Sequence, residues 1–569
     1  MVKEKLWLES YPQEIPSTLE YENRSLQSFL QEAARENPEK QAFHFMGKDM
    51  TYKEVYGDAL RFANQLQSLG VNKGDRVAIM LANTPQSVIC YYGALLAGAV
   101  VVQTNPLYVE REIEHQMIDS GAKVMVCLDI LYPRVEKVWR KTSLEYVVVT
   151  SIKDYLPFPK NVIYPFVQKK NTGIKVNISY NSKTLHFPSL LSAGEEKELD
   201  IPIDPKEDLA LLQYTGGTTG PAKGVMLTHY NLVANTLQCR AWMYKMKKGE
   251  ERVLAALPFF HVYGMTVVMN LSIMYLTKMI ILPKFDPKQV LKAIQKHKVS
   301  LFPGAPTMYV GLINEPDIEK YDLSSIEACL SGSAPLPVEV QQQFEKLTGG
   351  KLVEGYGLTE TSPVAVSTPI WGKRKAGSIG VPWPDTEVAV LSAETGETAE
   401  PGEIGELMIR GPQVMKGYYN KPEDTAASFK EDWFLTGDMG YMDEEGYFYI
   451  VDRKKDMIIA GGFNIYPREI EEVLYEHEAV QEAAVIGVPD TYRGETVKAF
   501  IVLKKGKNVT EEELEKFCRE NLAAFKVPRL YEFKEELPKT MVGKILRRAL
   551  VEEEEKKRKE NEDSLKKGS

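Results

Sequence analysis

From Asp75 onward, apolar runs of strand length alternate with longer stretches of helical length. RVAIML, VVVQ and AKVMVCL are short and nearly uninterrupted by polar residues, as strands buried on both faces are, and SVICYYGALLAGA and REIEHQMIDS stand between them. That alternation predicts a parallel sheet flanked by helices. A second series begins at Arg252: RVLAAL, an apolar helix after His261, KMIIL, a helix opened by Asp286 as N-cap with Pro287 behind it, then SLFPG, IEACLSGS and LVEGYG. Between 387 and 411 the pattern shortens to EVAVLS and GELMIRG with Gly/Pro turns, which predicts a small antiparallel barrel or sheet. After Val451 the charged DRKKD and the glycines of IIAGG change the character of the chain. Beyond them come a helix entered through Pro467, strands AAVIGV and VKAFIVL, a helix opened by the capping box Thr510-x-x-Glu513, a strand LYEF and a final helix. The fold class expected is α/β. A large N-terminal domain, 1–452, contains two α/β subdomains plus a small β-barrel-like part; a smaller C-terminal α+β domain, 453–569, ends in a charged tail.

Composition narrows the partners. The 569 residues carry 70 basic against 79 acidic side chains, a net charge of −9, with no basic stripe in the body of the chain, so nucleic acid is not an expected partner. Five cysteines (Cys90, Cys127, Cys239, Cys329, Cys518) are scattered through apolar runs without Cys-x-x-Cys spacing. They read as reduced core residues, not metal ligands. The opening MVKEKLWLESYPQEIP lacks the apolar core of a secretory signal, so a cytoplasmic protein is expected. GMTVVMNLSIMYLTKMIIL approaches membrane-span length, but Asn270 and Lys278 interrupt it; a buried helix running into a strand is the better reading.

YTGGTTGPAKGV, residues 214–225, follows the apolar run LALL. Its glycines allow close backbone approach, its threonines offer hydroxyls and Lys223 adds a charge, a composition suited to holding phosphates. It is not a Walker loop, because Lys223 stands between Ala222 and Gly224, and no Gly-x-Gly-x-x-Gly runs through Gly216, Gly217 and Gly220.

Together with PFFHVYG, GYGLTET, GELMIRG, WFLTGDMGYMDEEGYFYIVDRKKDMIIAGGFNIYPREIE and PKTMVGKILRR, in this order over nearly the whole chain, that loop resembles the adenylate-forming acyl-CoA synthetase superfamily. VDRKKDMI followed by GFNIYPREIE is most similar to bacterial long-chain fatty-acid–CoA ligases. The resemblance implies ATP and coenzyme A as co-substrates, Mg²⁺ as cofactor and a fatty acid as the acid: the carboxylate attacks the α-phosphorus, pyrophosphate leaves, and the thiol then displaces AMP. A homodimer and peripheral contact with the inner membrane face are compatible with it.

In that frame Thr215, Gly216, Gly217, Thr218, Thr219 and Gly220 wrap the β- and γ-phosphates, and Lys223 either reaches phosphate or caps the loop. Thr359 and Glu360 lie where a strand of the α/β series ends, the usual ligand edge. A single carboxylate suits Mg²⁺, which keeps phosphate oxygens and waters as its other ligands, and the resemblance adds the Thr215 hydroxyl beside it. Tyr356 offers a flat face for adenine, with Gly355 and Gly357 letting the backbone approach. Asp438 has two acceptor oxygens for the ribose hydroxyls. The resemblance pairs it with Arg453 and matches Lys455 to the hinge of the small domain. His261 reads as a positioning residue near the acyl pocket or as a core histidine; a carboxylate substrate needs no base at neutral pH. Gly332, Ser333 and Ala334 suit the wall of an acyl channel, though ordinary packing asks for the same residue types. Lys544 matches the family's catalytic lysine, whose ammonium neutralises charge developing in the first step. Gly461 and Gly462 are expected to leave room for the pantetheine arm of coenzyme A.

An aryl ligase of coumarate type, a luciferase-like oxygenase, an acyl-adenylate ligase serving a carrier protein, and a non-catalytic nucleotide- or lipid-binding relative are the alternatives.

Overall fold

The computed structural model describes residues 5–174, 176–215, 222–460, 463–490, 493–540 and 544–567. Six strands of the first series are parallel. In the order Leu209–Thr215, Val100–Gln103, Arg76–Met80, Val124–Leu128, Tyr146–Thr150 and Thr184–His186 they form most of an eight-stranded sheet, extended at one edge by Lys223–Thr228 and Gly417–Tyr418. The helix Pro85–Leu96 is buried on all sides. That is why its sequence shows no polar face: it is clamped between layers.

The second series makes another layer. Arg252–Ala255 and Lys278–Ile281 pair in parallel, Gln41–Phe45 joins them from the N-terminal region, and bridges at Leu301 connect them to Ala328–Ser331 and Lys351–Gly357. Asp286 caps the helix Pro287–His297 by accepting from Gln289 N–H at 2.9 Å, as its sequence predicts. The apolar stretch after His261 is a π-helix, Gly264–Asn270, continued by a short α-turn, Leu271–Met274, before the strand. Gly264 is required there, since a Cβ would lie 2.3 Å from the Pro258 carbonyl oxygen. Among the described residues no helix is long and apolar enough to cross a membrane.

The region from Glu387 to Arg453 is an antiparallel five-stranded sheet in which Trp433–Met442 pairs with both Gly405–Arg410 and Phe448–Arg453. One apolar core runs from Trp7 to Phe448. The C-terminal sheet has cores of its own on both faces, because the alternation along Val480–Asp490 sends Ala483 and Val485 to one side and Ala484, Ile486 and Val488 to the other. Helices Pro467–Glu476 and Glu511–Asn521 cover the first face.

Candidate active site

Parallel strands aim their carboxyl ends at one edge of a sheet, and ligands bind in the crevice outside that edge. Here two sheets bring such edges together. Thr215 ends one strand, while Gly332 and Ser333 follow Ala328–Ser331 and Gly355 to Gly357 end Lys351–Gly357. All of them line a cleft of about 1160 Å³, closed on its far side by Lys455, Lys544 and other residues of the C-terminal region.

One end of the cleft is a hydrogen-bonded triad. Asp438 and Arg453 face each other across paired strands, and the Arg453 Nε–H lies 2.6 Å from Asp438 Oδ1. The Tyr356 hydroxyl donates to Asp438 Oδ2 at 2.6 Å. Asp438 is buried, so the guanidinium and the phenol hold a carboxylate that would otherwise be costly there. Each carboxylate oxygen has a second lone pair, which leaves acceptors for two further hydroxyls. Gly355 and Gly357 make room for the protein itself: a Cβ on Gly357 would lie 1.8 Å from the Pro363 carbonyl oxygen, and one on Gly355 2.9 Å from Leu330.

Beside the triad, Glu360 Oε1 accepts from the Tyr418 hydroxyl at 2.8 Å. Burial pushes the Glu360 carboxyl above its ordinary value, against the pull of that bond. A cation at this carboxylate would offset the same cost. Among the described residues no cluster of three His, Cys, Asp or Glu is placed to hold a metal. One carboxylate and the Thr215 hydroxyl fit a Mg²⁺ ion that takes its remaining ligands from nucleotide and water. Thr359 lines the same wall. Lys223, paired in register with Thr215, is ion-paired to Asp424 at 2.6 Å and lies 5.2 Å from the centre of the Tyr418 ring. It thus ties the base of the glycine loop to the helix Pro422–Ala427.

On the opposite wall, His261 receives the Tyr263 backbone N–H on Nδ1 at 3.2 Å, so the neutral ring carries its proton on Nε2. Desolvation, with Lys544 second, lowers its pKa to about 4. It is therefore a neutral donor over the physiological range. Gly332 backs onto Tyr263, whose ring would meet a Cβ there at 3.1 Å. Ser333 lines the cleft with a left-handed φ of 74°, whereas Ala334 is not among the lining residues.

Lys544 reaches this cleft from the turn between the strand Leu530–Phe533 and the helix Arg547–Lys567. Its backbone N–H donates to Thr540 Oγ1 at 3.1 Å, and the Thr540 N–H returns a bond to the Lys544 carbonyl at 2.8 Å. Desolvation and then Arg453 lower the ammonium to a pKa of about 8, although the side chain still meets solvent through the cleft. Lys455 is lowered in the same way. The small region is held in this orientation around Asp452, which the sequence did not single out. Asp452 is buried and accepts the Arg468 and Arg453 backbone N–H groups at 2.7 Å each. Arg547 lies 3.4 Å away and is shared with Asp456 at 3.3 Å and Glu471 at 2.6 Å. Burial pushes Asp452 up to about 6 despite that guanidinium. Gly216, Gly217, Thr218, Thr219 and Gly220, and the pair Gly461 and Gly462, lie outside the described residues.

A nucleotide-sized cleft at converging strand ends, with a buried carboxylate–tyrosine–arginine triad and a lysine brought in from a second unit, defines the class: the chain belongs to the AMP-binding enzyme family. That family's profile matches residues 30–419, and the profile of the AMP-binding enzyme C-terminal domain matches residues 469–544. The chain is 59% identical to the long-chain-fatty-acid–CoA ligase of Bacillus subtilis (strain 168), over 97% of this chain and 99% of that protein. It is 41% identical to the enzyme of the same name from Salmonella typhimurium, over 96% and 98% of the two chains. Among solved structures, ATP-bound MatB from Rhodopseudomonas palustris superposes with a TM-score of 0.81 at 30% identity, covering 93% of this chain and 99% of that one.

Proposed function

We propose that this protein is an ATP-dependent long-chain fatty-acid–CoA ligase that forms an acyl-adenylate and pyrophosphate, then acyl-CoA and AMP. The relatives named above support the activity, and one geometric observation carries the mechanism: Lys544 shares a cleft with Asp438, Arg453 and Glu360 and lies near enough to His261 for its charge to act on the ring. In the first step a carboxylate oxygen bonds to the α-phosphorus as the bond to pyrophosphate breaks. Asp438 holds the ribose hydroxyls, Tyr356 backs the adenine, the loop after Thr215 receives the phosphates, and the His261 Nε2–H orients the acid. The Lys544 ammonium then lies against the oxygens on which charge develops, a preorganised donor. Glu360 and Thr215 would hold Mg²⁺ together with the nucleotide, and the ion would neutralise phosphate charge further. In the second step the thiol attacks the acyl carbon and AMP leaves. We assign the hinge to Lys455, about which the C-terminal residues beyond it turn as a unit to exchange Lys544 for Gly461 and Gly462, while Arg453 stays in the strand Phe448–Arg453. We place it in the cytoplasm, the location that the sequence reading expects.

Pyrophosphate release from ATP with a panel of saturated and aromatic acids, with and without coenzyme A, tests the reading. Long saturated acids should lead, because each methylene buried in an apolar channel contributes about 0.8 kcal/mol. Preference for aromatic acids would make it an aryl ligase, and pyrophosphate release without thioester formation an adenylate ligase.

A further inference from the structure

We propose that the outward face of helix Lys160–Thr172 is a docking surface for an anionic lipid bilayer. This helix has the wrong side out. On a surface helix the apolar stripe faces the core and the polar face meets water. Here the only buried residue is a glutamine: Gln168, whose Nε2–H lies 3.3 Å from the Asp129 carboxylate. Tyr164, one turn earlier, packs on the core beside it. The outward side carries Val162, Ile163, Phe166 and Val167, with Phe158 just before the helix; Phe166 is 75% exposed and Phe158 82%. Side chains four apart share a helix face, so these make one contiguous stripe. A stripe of this kind marks an interaction site.

The charge around it says which kind. Between 151 and 185 the sequence has lysines at 153, 160, 169, 170, 175 and 183 against the single acid Asp154, in a chain whose net charge is −9. An apolar stripe with lysines at its flanks suits a helix lying in the plane of an anionic bilayer, rings in the acyl boundary and ammonium groups among the headgroups. A second copy meeting the same patch across a two-fold axis would bring lysine against lysine, which is repulsive.

The position fits the proposed substrate, and this part rests on the reading given under Proposed function. Gln168 fastens the helix just beyond the carboxyl end of strand Val124–Leu128, the sheet edge at which the cleft also lies. Nearer the cleft on that edge, the loop after Val100–Gln103 exposes Leu107 and Val109, while its Asn105 and Tyr108 line the cleft. A long-chain acid partitions into bilayers, so docking by this edge presents the cleft to the lipid phase from which the acid comes. Anchoring by a few rings and lysines is reversible.

Vesicle flotation of the full-length protein tests it, with equal parts phosphatidylcholine and phosphatidylglycerol, or phosphatidylcholine alone. The wild type should float with the mixed vesicles and much less with the neutral ones. Phe158→Asp with Phe166→Asp should reduce partitioning by about tenfold or more. Lys169→Ala with Lys170→Ala should reduce it roughly fivefold per charge removed. An unchanged melting temperature shows that the variants fold, and turnover of the water-soluble acid octanoate, measured separately, reports on the ligase reading without reference to vesicles. Absence of wild-type flotation on anionic vesicles, or equal flotation of wild type and variants, overturns the proposal. So does a wild-type dimer that the phenylalanine variants dissolve while leaving vesicle binding intact.

Discussion

Two walls of the same cleft are built in different ways. On the nucleotide wall, Asp438 and Arg453 are cross-strand neighbours in a sheet, Tyr356 ends a strand of another, and the three side chains satisfy one another before any ligand arrives. On the facing wall, Lys544 stands beside a turn tied by Thr540, and its place depends on how the whole C-terminal unit is docked. The first arrangement is built on paired strands and draws on no residue beyond Arg453. The second exists only while Asp452 and Arg547 hold the units in this orientation. On the function proposed above, a reaction in two steps with opposite needs would gain from that asymmetry: the nucleotide residues would stay fixed while the Lys544 cation is brought in and taken away.

Removing the imported group should have the largest effect. Lys544→Ala should slow adenylation about 10²–10³-fold, the usual loss for a preorganised charge donor, while pre-made acyl-adenylate and coenzyme A still give thioester within about tenfold of wild type. Equal losses in separately measured half-reactions would erase the contrast between the walls. Next comes the fixed wall. Asp438→Ala should weaken ATP and AMP binding by about 1.5–3 kcal/mol for each charge-assisted bond lost, measured by calorimetry, and a nucleoside without ribose hydroxyls should bind mutant and wild type alike.

The docking itself can be loosened. Arg547→Met leaves three carboxylates, Asp452, Asp456 and Glu471, without their shared cation. Adenylation should fall about tenfold while thioester formation from acyl-adenylate holds or rises, since a buried acid without its partner disfavours this orientation alone. Titration gives a comparable change. The Lys544 pKa lies near 8, below its ordinary value, so the cation is present below that pH and is lost as pH rises through it. Adenylation should therefore decline about tenfold per pH unit above that point, thioester formation should show no such limb, and Lys544→Arg should move the limb upward. The smallest effect is expected at Gly332→Ala, where the Tyr263 ring must give a few tenths of an ångström; KM for the acid should rise by less than about tenfold, with ATP affinity unchanged.

The alternation of apolar runs decides that these segments are strands and helices, because period and length are local properties; the capping groups of Asp286 and Thr510 are likewise legible, since their partners lie within one turn. The composition of the glycine loop suits phosphate, an expectation that falls outside the described residues, and the triad's members are legible as residue types in motifs. What the triad looks like is not. Tyr356 finds Asp438 82 residues away, Tyr418 finds Glu360 at a separation of 58, and Arg547 finds Asp452 at 95. No local pattern records such pairings, because strand register and sheet order choose them. Helix Lys160–Thr172 makes the same point in reverse. Its sequence specifies which residues share a stripe, but only packing on Asp129 and the core decided that the glutamine should turn inward and the phenylalanine out.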